Sequence, residues 1–182
     1  MPSRATPIRV IRDGPRRYHS ILERLDGVTV RLEGGSYNKV GGDPRGVPHD
    51  IAHFLVEEGL GLRSGLWGVL AAGGTVQNAA VVAGRQAPRA AARARAITSA
   101  ASRRLWETEV VVRAVADLAL GDAPSDPGAL AAACGGQYWP DGAATPQVLD
   151  ELRAGLRQAA DRWWSLGAGE PYRLSWRLAP PG

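Results

Sequence analysis

The chain has a single cysteine, Cys134, so it forms no internal disulfide and builds no thiolate cage for a metal. Cys134 stands in Ala-Ala-Ala-Cys-Gly-Gly with no histidine nearby, which reads as a small buried thiol and not a nucleophile. No stretch approaches the ~20 apolar residues that cross a bilayer. The opening Met-Pro-Ser-Arg-Ala-Thr-Pro is not followed by the apolar run of a signal peptide. A cytoplasmic chain without a membrane partner is expected. Repeats, a glycine-rich phosphate loop and a Ser/His/Asp arrangement are also missing. Phenylalanine occurs once and tyrosine four times, so aromatic packing falls mainly to six tryptophans.

Acid is missing from a long internal stretch. Between Gly59 and Trp106 there is no Asp or Glu, against Arg63, Arg85, Arg89, Arg93, Arg95, Arg103 and Arg104. Arg85, Arg89 and Arg93 recur at i, i+4 and are candidates for an anion-binding surface facing an acidic partner or nucleic acid. The alternative is a solvated helix face that keeps an alanine-rich segment soluble. A net charge of only +4, no interleaved aromatics and no recognised nucleic-acid module favour that alternative.

What is present includes 45% hydrophobic residues, enough for one core, and 182 residues fit a single domain. Residues 7 to 33 alternate as a three-stranded meander. Asp13-Gly14-Pro15 and Asp26-Gly27 are its turns. In this register His19, Ile21, Glu23 and Leu25 share a face, and His19 reads as a half-buried structural histidine. Gly34–Gly46 reads as a loop able to arch over a site. Leu60–Gly74 fits a buried turn or short helix, and Thr75–Val82 a helical turn. Arg85–Leu120 is one long helix or two, with Pro88 in the first turn and Gly121 as a stop. A short helix is expected over Pro127–Cys134, and Gln137-Tyr138-Trp139-Pro140 suggests an aromatic cluster. Thr145-Pro146 starts a helix to about Ser165, with Val148, Leu152, Leu156 and Ala159 inward and Trp163 and Trp164 against the sheet. Tyr172–Leu178 alternates as a final strand. The expected fold is α+β: an N-terminal antiparallel three-stranded meander joined by a C-terminal strand (7–33 plus 171–178). The helical part, 48–165, packs on one face.

The chemistry concentrates in Val47–Gly68. Pro48 suits a first helical residue, Asp50 the first turn, and Gly59 and Gly61 the end of a short amphipathic helix. His49 and His53, two of only three histidines, stand one turn apart, the spacing that lets two imidazoles share a metal ion. Asp50 follows the first histidine where zinc proteases of the H-E-x-x-H type carry Glu, and its shorter reach argues against peptidase chemistry. Asp50 is a candidate third ligand or general base. Glu57 lies about 12 Å along the axis from His49, too far for one ion to touch both, so it is expected to orient His53. His19, Glu107, Glu109 and Asp141 are further candidates for the third ligand. Against the metal site stands a plain helix terminus with a solvated polar face.

His-Asp-x-x-His also resembles the metal-binding helix of a family of ubiquinone-biosynthesis proteins. In that family a glutamate follows the second histidine by twelve positions, where this chain has Gly65. More broadly, Pro-His-Asp-x-Ala-His-Phe-x-Val-Glu followed by Gly-Leu-Trp-Gly resembles a group of small actinobacterial proteins, which supplies no activity. The expectation from the residues is a small metal-dependent enzyme, hydrolase-like by default, holding zinc or a similar divalent ion against an unknown small-molecule or peptide substrate. The alternative is a non-catalytic binding or scaffold domain with an arginine-rich helical surface.

Overall fold

The computed structural model describes residues 5–179 except 36, 41–42, 122, 136–138 and 141. Strands β1 (Thr6–Gly14), β2 (Arg17–Glu23) and β3 (Thr29–Gly34) form the expected meander. The second turn closes on Gly27, whose φ of +80° suits a residue without a Cβ. β7 (Pro171–Trp176) returns antiparallel to β1, with Ile8 opposite Leu174. The α+β expectation holds.

The sheet has five strands and not four. Ala79–Ala83, read from sequence as part of a helical turn, is strand β6, antiparallel to β3, and the order is β6-β3-β2-β1-β7. Gly73, at φ +98°, breaks the preceding helix. The Glu33 amide then donates to the Asn78 carbonyl at 3.0 Å and starts the pairing. The adjacent β-branched Val81 and Val82 favour extended backbone over another helical turn. The Gly34–Gly46 loop is likewise replaced. β4 (Tyr37–Val40) and β5 (Asp43–Pro48) form a separate two-stranded sheet. It is tied to the last helix, α5 (Pro146–Ser165), where Trp164 stacks on Tyr37 and donates from Nε1 to the Gly46 carbonyl at 3.0 Å.

One face of the large sheet is buried. Ile8, Val10, Tyr18, Ser20, Leu22, Val30 and Leu32 point into the core. His19 and Ile21 therefore lie on the opposite face and Leu25 is exposed, so the buried face of β2 is the reverse of the one expected, whereas Val28, Val30 and Leu32 of the third segment do share the buried side. The helices α1 (His49–Gly59), α2 (Leu66–Ala71), α3 (Ala90–Leu120) and α5 gather over the buried face, and α4 (Pro127–Ala133) packs on α3. Trp67 and Trp163 are fully buried among them, and Trp163 meets Tyr18 edge-on at 6.0 Å. Cys134 is buried, as expected. Gln137 and Tyr138 of the expected aromatic cluster lie outside the described residues.

The helix ends follow local chemistry. Thr145 Oγ1 accepts from the Val148 amide at 3.3 Å and caps α5, with Pro146 in its first turn. Leu149, rather than Val148, takes the fully buried place on its inner face. α3 is one helix of 31 residues, about 46 Å at 1.5 Å per residue. It starts at Ala90, after Pro88, on Arg89 at φ +61°. Arg85 and Arg89 thus precede the helix and do not form one helical face with Arg93, although all three are exposed. Pro48 ends β5 with ψ 135°, so His49, not Pro48, is the first helical residue. No described helix is long and apolar enough to cross a membrane.

Candidate metal centre

α1 presents His49 and His53 one turn apart, with ring centroids separated by 4.4 Å. α3 packs across α1 through a buried apolar face that includes Val111, Val112 and Val115. At the rim of that contact α3 supplies Glu109. Its Oε1 lies 3.3 Å from His49 Nε2 and its Oε2 lies 2.9 Å from His53 Nε2. One ligand atom from each of the three residues falls within 4.8 Å of the others. Two donors bound to zinc at ~2.05 Å in tetrahedral geometry lie about 3.3 Å apart, so these separations suit a shared ion with small adjustments. His53 is buried, whereas the Glu109 side chain is 50% exposed and that of His49 is 26% exposed. The group therefore opens to solvent on one side only.

Behind His53 stands Glu57, fully buried one turn along the helix. Its Oε1 lies 2.8 Å from His53 Nδ1 and accepts the Leu66 amide at 2.8 Å, and its Oε2 accepts the Trp67 amide at 3.1 Å. These two donors are free because α2 begins there and its first amides have no partner within the helix. A carboxylate on Nδ1 fixes the orientation of the ring and turns Nε2 towards Glu109 and His49. Gly65 makes room for this arrangement. A Cβ at that position would sit 2.3 Å from the Glu57 carboxyl carbon. The glutamate found there in the ubiquinone-biosynthesis helix could not be added without displacing Glu57.

The charges reinforce one another. Hydrogen bonds from His49 and then His53 hold the Glu109 carboxyl well below the usual carboxylate range. Burial opposes a charge on His53, but hydrogen bonds with Glu109 and Glu57 and their negative charge outweigh it and raise it to about 9. Burial pushes the Glu57 carboxyl up, against His53 and the two amides that favour its ionised form.

Comparison with family models, curated proteins and solved structures finds no match to this chain. The site is therefore read from its own geometry.

Of the residues expected at the site, His49, His53 and Glu57 are brought together, with Glu109 from the wider set of candidate ligands. Asp50 is not in the group. Its carboxylate turns to the sheet, accepting Ser20 Oγ–H at 2.6 Å and Tyr18 Oη–H at 3.2 Å, and burial raises it. It fastens α1 to β2, while Trp67 Nε1 donates to the Asp50 carbonyl at 2.9 Å and ties α2 to α1. His19 lies on the outer face of the sheet, with Nδ1 2.8 Å from Asp13 Oδ2. Glu107 is buried and taken up by Arg103 and Arg104 on its own helix, at 2.9 and 2.8 Å. Asp141 lies outside the described residues. Sequence reading missed Ser20, Tyr18 and Gly65. The signal for Gly65 was its place shortly before a helix whose first amides need an acceptor.

Proposed function

We propose that the protein is a small metal-dependent enzyme, hydrolase-like in its chemistry, that holds a divalent ion with His49, His53 and Glu109. The observation that carries this reading is the convergence of two imidazole nitrogens and a carboxylate oxygen from two helices. Two histidines and one carboxylate form a ligand set used by catalytic zinc, which leaves a fourth position open. A facial set of the same donors also suits non-haem iron, since imidazole serves both metals; zinc is proposed because two histidines and a carboxylate are a known tetrahedral zinc set with its fourth position open.

The chain's own residues divide the work. Glu57 holds the Nδ1 proton of His53 and so presents Nε2 as a neutral donor. His49 and Glu109 close the site from the solvent side, where a small-molecule or peptide substrate arrives. A zinc ion held there supplies Lewis acidity at its open position. Asp50, occupied by Ser20 and Tyr18, is assigned no part in proton transfer. Elemental analysis of the purified protein tests the proposal. It predicts about one divalent ion per chain, lost in the His49→Ala, His53→Ala double variant. A metal-free protein that gains no ion on zinc addition contradicts it.

A further inference from the structure

A second surface lies away from the histidines, at the β6 edge of the sheet. β6 pairs with β3 on one side and is the last strand on the other. Its sequence, Ala-Ala-Val-Val-Ala, has none of the lysines or prolines that blunt an edge, and a register shift opposite Thr29 and Val30 is its one irregularity. Val81 is 40% and Val82 52% exposed, which makes them two of the four large exposed apolar residues among those described. Beside the strand, the first three turns of α3 are exposed on most sides. Between the two elements lies a cavity of about 200 Å³, lined on the sheet side by Val28, Val30 and Val81 and on the helix side by Arg93 and Arg95.

The charge of this surface has one sign. The segment from Gly59 to Trp106 carries no acid. Asp26, which also lines the cavity, is already paired with Arg24. Neither Arg93 nor Arg95 forms an ion pair with a described residue. A strand edge offers unpaired backbone donors and acceptors, the cavity offers apolar volume, and the arginines offer cations. A second copy docked here by two-fold symmetry would set the same acid-free segment against itself, a repulsive arrangement. Nucleic acid would leave the strand edge and valines unused, and no aromatic side chain lines the cavity for a base to stack on.

We propose that the β6 edge binds an extended acidic segment of a protein partner as a sixth strand. The partner's main chain pairs with β6. A small apolar side chain enters the cavity beside Val81, and flanking carboxylates meet Arg93 and Arg95. This proposal does not depend on the metal centre.

The test uses the full chain and a fluorescent peptide of alternating Glu and Val, followed by anisotropy, with amide hydrogen exchange of β6 measured in parallel. Saturable binding that slows exchange at Ala80–Ala83 supports the proposal. Binding about tenfold weaker in Arg93→Glu, Arg95→Glu and in Val82→Glu also supports it, as does binding unchanged by chelator. Val82 is on the surface, so its variant keeps the fold. Absence of saturable binding overturns the proposal, as does binding indifferent to Val82→Glu and without β6 protection, which would be charge attraction alone. Protection of β6 by a single-stranded RNA but not by the peptide overturns it in favour of nucleic acid. Concentration-dependent protection without peptide, with a dimer in sedimentation, overturns it in favour of self-association.

Discussion

Replacing Glu57 by glutamine changes one atom at the point where the histidine helix meets α2. The two carboxylate oxygens of Glu57 serve His53 Nδ1, the Leu66 amide and the Trp67 amide. A glutamine that keeps its oxygen towards His53 and Leu66 turns its NH2 against the Trp67 N–H, leaving two buried donors face to face. An unsatisfied buried donor costs about 1–3 kcal/mol, and the loss of charge-assisted bonds adds to it, so about 2–4 kcal/mol is expected in all. For a chain of this length that corresponds to roughly 5–15 °C in Tm. The assay is urea unfolding of Glu57→Gln in chelator, which isolates the fold from any ion. A competition titration with a zinc dye then measures the site itself. Affinity about 10–100-fold weaker is expected, because the partner on the far side of a ligand histidine tunes its donor strength. Unchanged stability in chelator would refute the hydrogen-bond account of Glu57. Unchanged zinc affinity would refute its role behind His53.

Two other predictions separate the site from its support. Asp50→Asn should cost about 1–3 kcal/mol in urea unfolding, since one of the hydroxyls of Ser20 and Tyr18 then meets an NH2 in place of a carboxyl oxygen, while metal content stays at the wild-type level; loss of the metal would restore Asp50 to the site. In chelator the protonated His53 stabilises the fold, because its folded value of about 9 lies above the ordinary 6.5. That contribution is complete below about pH 6.5 and is lost as pH rises through about 9, so urea midpoints should fall across this window. Midpoints flat from pH 6.5 to 9 would contradict the ion-paired state of His53.

Much of this arrangement was legible in residue order. The Asp-Gly turn, the alternation of β1 to β3 and the Thr-Pro start of α5 are local signals, and local chemistry decided them. So was the pairing of His49 with His53, and the placing of Glu57 behind rather than beside the ligands, which followed from rise per residue alone. What failed had a non-local cause. The buried face of β2 includes Ser20, a polar residue made inward-facing by Asp50 some thirty positions later, so counting apolar residues chose the opposite face and misplaced His19. β6 is a strand because β3 receives it. In isolation the extended preference of Val81 and Val82 is opposed by the helix-favouring alanines around them. Asp50 is next to His49 in sequence but a quarter of a turn away around the helix, enough to aim it at the sheet. Glu109 completes the site from a helix 56 residues beyond His53, and only the crossing of α1 and α3 selects it over Glu107.

X-ray absorption at the zinc edge of the loaded protein examines the proposed coordination itself. The account predicts two imidazole nitrogens at about 2.0–2.1 Å and carboxylate oxygen at about 2.0–2.2 Å, with one imidazole lost in His49→Ala and the oxygen signal altered in Glu109→Gln. A spectrum without imidazole scattering, or one indifferent to both substitutions, would contradict it and leave His49, His53 and Glu109 as an ion-paired clasp between two helices.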